Sequence, residues 1–243
     1  VNPHFESFLS ESRASFTIDD LFGAYTRFME TCGFNRVAYV IISDHDELKQ
    51  EHPLGIIRQS NLNGWDQYYI EQNFMEVDPL FEETYCKSGI FSWQEFRDTR
   101  QLSAAQTNFF NEAVSFGKLF QGVTFSVHGP CGTKGVAIAS TDERKREFNP
   151  LSIDSANLAT YQFHLCYLDV MRFESTMIQP LSSKEHLVLQ WAATGLTKSG
   201  IGDRMRISSH TVDYHMRNVM KKLNAKNTTA ALVTAIKKGI ISP

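Results

Sequence analysis

No run in these 243 residues approaches the roughly 18 consecutive apolar positions that a membrane-spanning helix requires. The first thirty residues likewise lack a basic start followed by an apolar stretch. Glu6, Glu11, Asp19, Asp20 and Glu30 stand there instead, and no export signal is expected. Cysteine is sparse: Cys32, Cys86, Cys131 and Cys166 lie 54, 45 and 35 residues apart, without the short pairs used by zinc sites and small disulfide scaffolds. Four buried free thiols in a reducing cytoplasm are the expectation. Eight histidines occur, yet there is no His-x-x-x-His, no Gly-x-Ser-x-Gly and no Walker loop, so solvent-facing histidines are expected rather than metal ligands or catalysts. Internal repeats and low-complexity tracts are also missing. These absences point to a soluble cytoplasmic protein that is not an enzyme and uses no cofactor, metal or membrane.

What is present is unevenly distributed. With 42% hydrophobic and 21% charged residues the chain is of globular composition, and its length suggests two domains. A formal net charge of −3 hides a strong asymmetry. Residues 181–243 hold ten Lys and Arg against three Asp and Glu (+7), whereas residues 1–180 carry 14 against 24 (−10). A basic quarter joined to an acidic remainder points to nucleic acid or another anionic partner for the short end. Glu174, Ser175 and Thr176 followed by Pro180 interrupt the helical pattern, so the reading is a domain over 1–172, a linker over 173–180 and a second domain over 181–243.

The acidic part reads as mixed α and β. Asp19 and Asp20 open a helical pattern through Leu21, Tyr25, Phe28 and Met29 that stops at Gly33. Arg36 to Ser43 is almost wholly apolar, as a central strand is, and Leu54 to Gln59 forms a second strand candidate. A helix over Leu102 to Phe116, strands over Gly122 to Val127 and Gly135 to Ser140 about a Gly129-Pro130-Cys131-Gly132 turn, and a long helix over Ile153 to Phe173 complete the pattern. The predicted fold class is α+β: an N-terminal α-β-α sandwich joined to a C-terminal all-α domain of four helices.

In that C-terminal part, Ser182 or Ser183 caps a helix with Glu185 or His186 near its third position, and the helix ends at Gly195. A short segment from Thr197 carries Ile201 and Met205. Ile207-Ser208-Ser209 then turns the chain into a helix whose apolar seam is Val212, Met216, Val219 and Leu223, with His210, Thr211, Asp213, Tyr214, Arg217, Asn218, Lys221 and Lys222 on the other face. A short helix, a tight turn and a long polar-faced helix make a helix-turn-helix. A fourth helix spans Asn227 to Gly239.

Glu185, Leu189 and Gly195, followed by Thr197, Ile201, Ile207-Ser208, Thr211-Val212, His215, Asn218 and Lys222-Leu223, resemble the DNA-binding domain of LuxR-type transcription regulators. That resemblance implies that the helix over 209–223 enters the major groove, with Asp213 and Arg217 reading bases and Thr211, Lys221 and Lys222 on phosphates; Tyr214 and Asn218 share this face. Gly200 and Gly202 depart from the usual Glu and Ala, and each glycine is expected to cost about 0.5 to 1 kcal/mol of helix stability. Asp213 accepts from a cytosine amino group but repels phosphate, and is expected to narrow the operator.

Upstream, Trp65-x-x-x-Tyr69, Asp78-Pro79, Trp93 and Gly122, at separations of 4, 9, 15 and 29, resemble the autoinducer-binding domain of quorum-sensing LuxR-type receptors. The resemblance implies an N-acyl homoserine lactone as ligand. Trp65 would donate to the ring carbonyl and Asp78 accept from the amide N–H. Tyr69 and Trp93 would wall the ligand, and Ala38, Val40, Leu80, Phe81, Phe109 and Phe110 line it. It further implies a homodimer on an inverted repeat of duplex DNA, with RNA polymerase as a further partner. Asn61 stands where relatives carry a tyrosine that bonds the acyl carbonyl, and Ala137 or Ala139 where a small polar residue reads a 3-oxo group. An unsubstituted or otherwise altered acyl region is therefore expected. Asn61 also keeps a rival open, a regulator whose first domain answers to another small molecule or only dimerises.

Overall fold

The computed structural model describes residues 3–42, 56–130, 133–144, 146–174 and 180–241. The chain divides into two compact units, with the main boundary between Arg172 and Phe173. Among the described residues no helix is long and apolar enough to cross a membrane.

In chain order the first unit contains α1 (Pro3–Ala14), α2 (Ile18–Thr31), β1 (Arg36–Ile41), β2 (Ile56–Ser60), α3 (Trp65–Glu71), α4 (Pro79–Cys86), β3 (Gly89–Ser92), α5 (Trp93–Thr99), α6 (Ala104–Ser115), β4 (Gln121–His128), β5 (Lys134–Thr141) and α7 (Pro150–Glu174). The strands form one five-stranded sheet in the order β2-β1-β5-β4-β3, antiparallel at every pairing. Every residue of β1 is buried, because helices cover both sheet faces. Side-chain alternation then sorts the sheet into two cores. Val37, Tyr39 and Ile41 of β1, Ala137 and Ala139 of β5, and Val123 and Phe125 of β4 face α1, α2 and α7. This core is solid and aromatic: Tyr25 stacks on Phe163 at 4.7 Å, and Tyr39 meets Phe163 edge-on at 4.7 Å. Ala38, Val40, Val136, Ile138 and Thr124 take the opposite face; the register pairs Ala38 with Ile138, and Ile138 with Thr124.

Thr17, rather than Asp19 or Asp20, caps α2, accepting from Asp20 N at 3.1 Å. Helix α1 shows no sustained apolar period in the sequence, and its one strongly buried apolar residue, Phe8, draws its burial from stacking on Phe28 at 5.4 Å. Helices α3, α4 and α5 and strand β3, of four to eight residues each, are too short to establish a period in sequence. Helix α7 reaches Glu174, into the segment read as linker, while Ser43, Leu54, Gly55 and Cys131 lie outside the described residues.

Two expectations are corrected. Cys32 is buried, its thiol pKa pushed up to about 11 by burial, but Cys86 is exposed and Cys166 half-buried. His164 is fully enclosed rather than solvent-facing, its ring nitrogens bonded to the Tyr39 and Thr133 hydroxyls.

The second unit contains α8 (Ser183–Ala193), α9 (Lys198–Met205), α10 (Ser209–Lys222) and α11 (Thr228–Lys237). Ser182 and Glu185 form the capping box of α8, deciding between the two readings of that end. The seam Val212, Met216, Val219 and Leu223 is buried against Val188, Leu189, Ile201, Ala231 and Ala235. Ser208 caps α10, accepting from Thr211 N at 3.1 Å.

The two glycines of α9 differ in a way composition does not reveal. A Cβ on Gly202 would lie 2.7 Å from Ile207 O, where the turn into α10 crosses the helix end; at Gly200 the nearest atom, Leu196 Cδ2, is 3.4 Å away. The expected cost thus holds for Gly200, whereas glycine is sterically required at Gly202. Gly200→Ala is expected to raise stability by about 0.5 to 1 kcal/mol and Gly202→Ala to lower it by about 1 to 3 kcal/mol in chemical denaturation. Equal effects would show that the turn relaxes freely.

Candidate functional site

Helices α3 to α6 lie over the sheet face carrying Ala38 and Ile138, and between them is an apolar cavity of about 90 Å³ that opens to the outside. All ten residues singled out as ligand-binding line it: Ala38, Val40, Trp65, Tyr69, Asp78, Leu80, Phe81, Trp93, Phe109 and Phe110. Sequence reading missed Val136, Ile138, Thr124 and Arg97, among others on the wall. Strand alternation is the signal for the first three, since they share a face with Ala38 in the register. Arg97 lies one helical turn beyond Trp93.

Trp65 opens α3 after a tight turn in which Asn61, Asn63 and Gly64 all have positive φ. Its ring stacks on Phe74 at 5.7 Å and lies 6.2 Å from Phe109. No hydrogen bond reaches its indole N–H among the described residues. Trp93, by contrast, donates to Thr124 Oγ1 at 2.9 Å, and a Cβ on Gly122 would come within 2.6 Å of its ring. The distant pair Trp93 and Gly122 is thus one contact.

Asp78 does two things. It is the N-cap of α4, with Pro79 behind it at the first helical position, and its Oδ1 accepts from Leu80 N at 2.9 Å. Oδ2 accepts from the Tyr69 hydroxyl at 3.0 Å. The residue also borders an outer cleft and so is half exposed, although protein encloses its carboxyl. Burial pushes that carboxyl up to about 6, against the lowering effect of the Leu80 N–H, the Tyr69 hydroxyl and the Phe81 N–H. Burial, with Asp78 beside it, likewise raises the Tyr69 phenol far above its ordinary value.

Two expected determinants do not face the cavity. Asn61 is exposed and donates to Asn35 O at 2.9 Å, while Leu62 enters the wall in its place. Ala137 and Ala139 pack into the opposite core, because alternation turns Val136 and Ile138 toward the cavity.

On α10, Tyr214, Arg217 and Lys221 are exposed, and Thr211, Asp213 and Asn218 half-buried. Asp213 is ion-paired to Lys198 on α9 and, at 3.1 Å, to Arg217; the Lys198 bond chiefly holds its carboxyl below the usual range. Lys222 corrects an expectation. Rather than standing free for phosphate, its Nζ donates to Glu185 Oε2 at 2.7 Å and to Pro180 O at 3.0 Å. Burial alone would raise the Glu185 carboxyl, but Lys222 and the Ser182 cap outweigh it and hold it low.

The family model described as "Autoinducer binding domain" matches residues 17–167, and that described as "Bacterial regulatory proteins, luxR family" matches residues 179–235. The chain belongs to the LuxR family of autoinducer-binding transcription regulators. Its helix-turn-helix unit binds DNA, and its N-terminal unit binds a small-molecule autoinducer, as in quorum sensing. Among relatives, y4qH of Sinorhizobium fredii, an HTH-type transcriptional regulator by name, is 31% identical over 180 residues, covering 74% of this chain and 55% of that protein. The chain therefore spans little more than half the length of that relative. The quorum sensing-dependent transcriptional regulator RpaR of Rhodopseudomonas palustris is 25% identical over 225 residues, 91% of this chain and 88% of that protein. Escherichia coli SdiA shares the fold, with TM-score 0.73 and 20% identity over 98% of each chain. A second structure, of SdiA in complex with octanoyl-rac-glycerol, gives TM-score 0.69 and 21% identity over 96% of this chain and 93% of that one.

The two neighbouring lysines of this LuxR-type unit should separate in experiment. Lys221→Ala is expected to weaken binding to every duplex and flatten the salt dependence by about one unit, leaving stability unchanged. Lys222→Ala is expected to destabilise the unit by on the order of 3 kcal/mol, because it strands a buried carboxylate. Salt titrations and thermal melts check both; an unchanged melt for Lys222→Ala would refute the structural role.

Proposed function

We propose that the N-terminal unit is the receptor for an N-acyl homoserine lactone and that the protein acts as a homodimer on an inverted-repeat operator. The observation that carries this reading is that an unbonded indole N–H, Trp65, and a carboxylate with acceptor capacity to spare, Asp78, border the same apolar cavity. In it Trp65 holds the ring carbonyl and Asp78 the amide N–H, and the acyl chain runs among Val40, Leu80, Phe109 and Phe110. A charge-assisted bond of that kind contributes roughly 1.5 to 3 kcal/mol net, or about ten- to a hundredfold in affinity. Ligand at a hundred times Kd stabilises the folded receptor by about 2.7 kcal/mol, enough to decide whether a marginal fold accumulates.

Dimerisation is supported by Leu151, Leu158 and Leu165, exposed at seven-residue intervals along α7. A two-fold dimer places two copies of α10 on half-sites about one helical turn, or a multiple of it, apart. Replacement of Leu158 by Glu is expected to weaken self-association at least tenfold in sedimentation; unaltered association would place the interface elsewhere.

A second reading is favoured by Asn61, which leaves the acyl carbonyl without the family's usual tyrosine. An acyl amphiphile with hydroxyls in place of the amide, like the octanoylglycerol held by SdiA, would then face Asp78. Mass spectrometry of the molecule that co-purifies from the native host separates the two.

The pH dependence has a definite sign. Ionised Asp78 accepts from an amide more strongly than the protonated acid, because that bond is charge-assisted, so lactone affinity is expected to fall by up to about tenfold from pH 7 to pH 5, through the carboxyl pKa of about 6. In the unliganded protein the same raised pKa works oppositely: its contribution to stability is greatest below about 4 and declines as pH rises toward 6. Calorimetric titration of Asp78→Asn should give weaker, pH-independent binding. Affinity with the same pH profile in that variant would exclude Asp78 as the ligand acceptor.

A further inference from the structure

We infer that Arg97 sets ligand specificity by donating to an acceptor oxygen on the ligand's tail, away from the atoms assigned to Trp65 and Asp78. This rests on the cavity being the ligand site, as proposed above. Arg97 follows Trp93 by four residues on α5, so both lie on the helix face that lines the cavity. Its guanidinium carbon is 5.4 Å from the centroid of the Phe110 ring, itself part of the wall. One guanidinium nitrogen donates to Gln94 Oε1 at 2.9 Å, and Gln94 Nε2 donates to both carboxylate oxygens of Asp98 at 2.9 Å each. The Gln94 amide therefore bonds to both Arg97 and Asp98, orienting the first and occupying the second.

A guanidinium has five N–H donors, and among the described residues Arg97 uses one and forms no ion pair with a carboxylate. Burial draws its pKa down, only partly countered by Asp98. An alkyl chain laid against this group would remove water from the remaining donors and return nothing, which is unfavourable. A carbonyl, hydroxyl or carboxylate oxygen would satisfy them with charge-assisted bonds. The expectation of an unsubstituted or otherwise altered acyl region rested, beside Asn61, on Ala137 or Ala139 facing the ligand; both face the opposite core, and the donor comes from α5 instead. The ligand class is thus an acyl lactone whose tail carries oxygen.

The test uses the full chain, N-octanoyl homoserine lactone, and eight-carbon analogues bearing a keto oxygen at successive carbons or a terminal carboxylate. Calorimetry compares the protein with Arg97→Leu and Arg97→Lys, after melts of the unliganded proteins. At least one oxygenated analogue is expected to bind the unaltered protein ten- to a hundredfold more tightly than the plain chain. Arg97→Leu should lose that preference while holding the plain lactone at least as well, and Arg97→Lys should keep part of it for the carboxylate. A plain-chain preference in the unaltered protein, or an oxygen preference that survives in Arg97→Leu, overturns the inference alone. If Arg97→Leu does not fold, the ranking in the unaltered protein and Arg97→Lys decides. Binding of no lactone by any of the three sinks the receptor reading and this inference with it.

Discussion

Successive side chains of a strand point to opposite faces, and along β1 and β5 that alternation separates a filled core from a hollow one. Tyr39, Ala137 and Ala139 are directed at α7, where small residues such as Ala156 and Ala159 admit close approach and aromatic rings fill what remains. Ala38, Val136 and Ile138 are directed at four short helices. There the rings of Trp65, Phe74 and Phe109 lean on one another at 5.4 to 6.2 Å and hold the helices off the small Ala38 side chain. A register slip of one residue would exchange the two faces, placing Tyr39 in the cavity and Ala38 in the aromatic core. The cavity and folding stability therefore depend on the same pairings.

Asp78 joins local structure to the cavity. A helix N-terminus needs an acceptor for its first free N–H groups, and an aspartate before proline supplies one. Its second oxygen is held by Tyr69 from α3, nine residues earlier, so the cap also fixes the spacing of two helices across the cavity. The residue is one that α4 requires in any case. Burial raises its pKa and concentrates the strength of any further bond it accepts.

In the DNA-binding unit, tertiary contacts divide a polar surface that looks uniform in sequence. Lys221 and Lys222 are adjacent, yet the 100° step between helical neighbours sends one to solvent and the other to Glu185. Asp213 links Lys198 and Arg217, so the cations on either side of it are oriented across α9 and α10 in the absence of duplex. Such ordering lowers the side-chain entropy lost on binding.

The sequence alone determined the two-part organisation, the long periodic helices, the central strands and the helix-turn-helix, because each rests on local patterns of apolar spacing, caps and charge. The short elements α3, α4, α5 and β3 escaped it, since one or two turns cannot display a period, although the aromatic and acidic residues they carry were identified through family resemblance. Tertiary structure alone decided which way side chains point. Asn61 turns out to Asn35, Ala137 and Ala139 turn to the other core, Arg97 borders the cavity, Lys222 is tied down and Gly202 sits under a crossing backbone. The physical reason is that orientation depends on strand register and on contacts between residues distant in the chain, which no local pattern encodes.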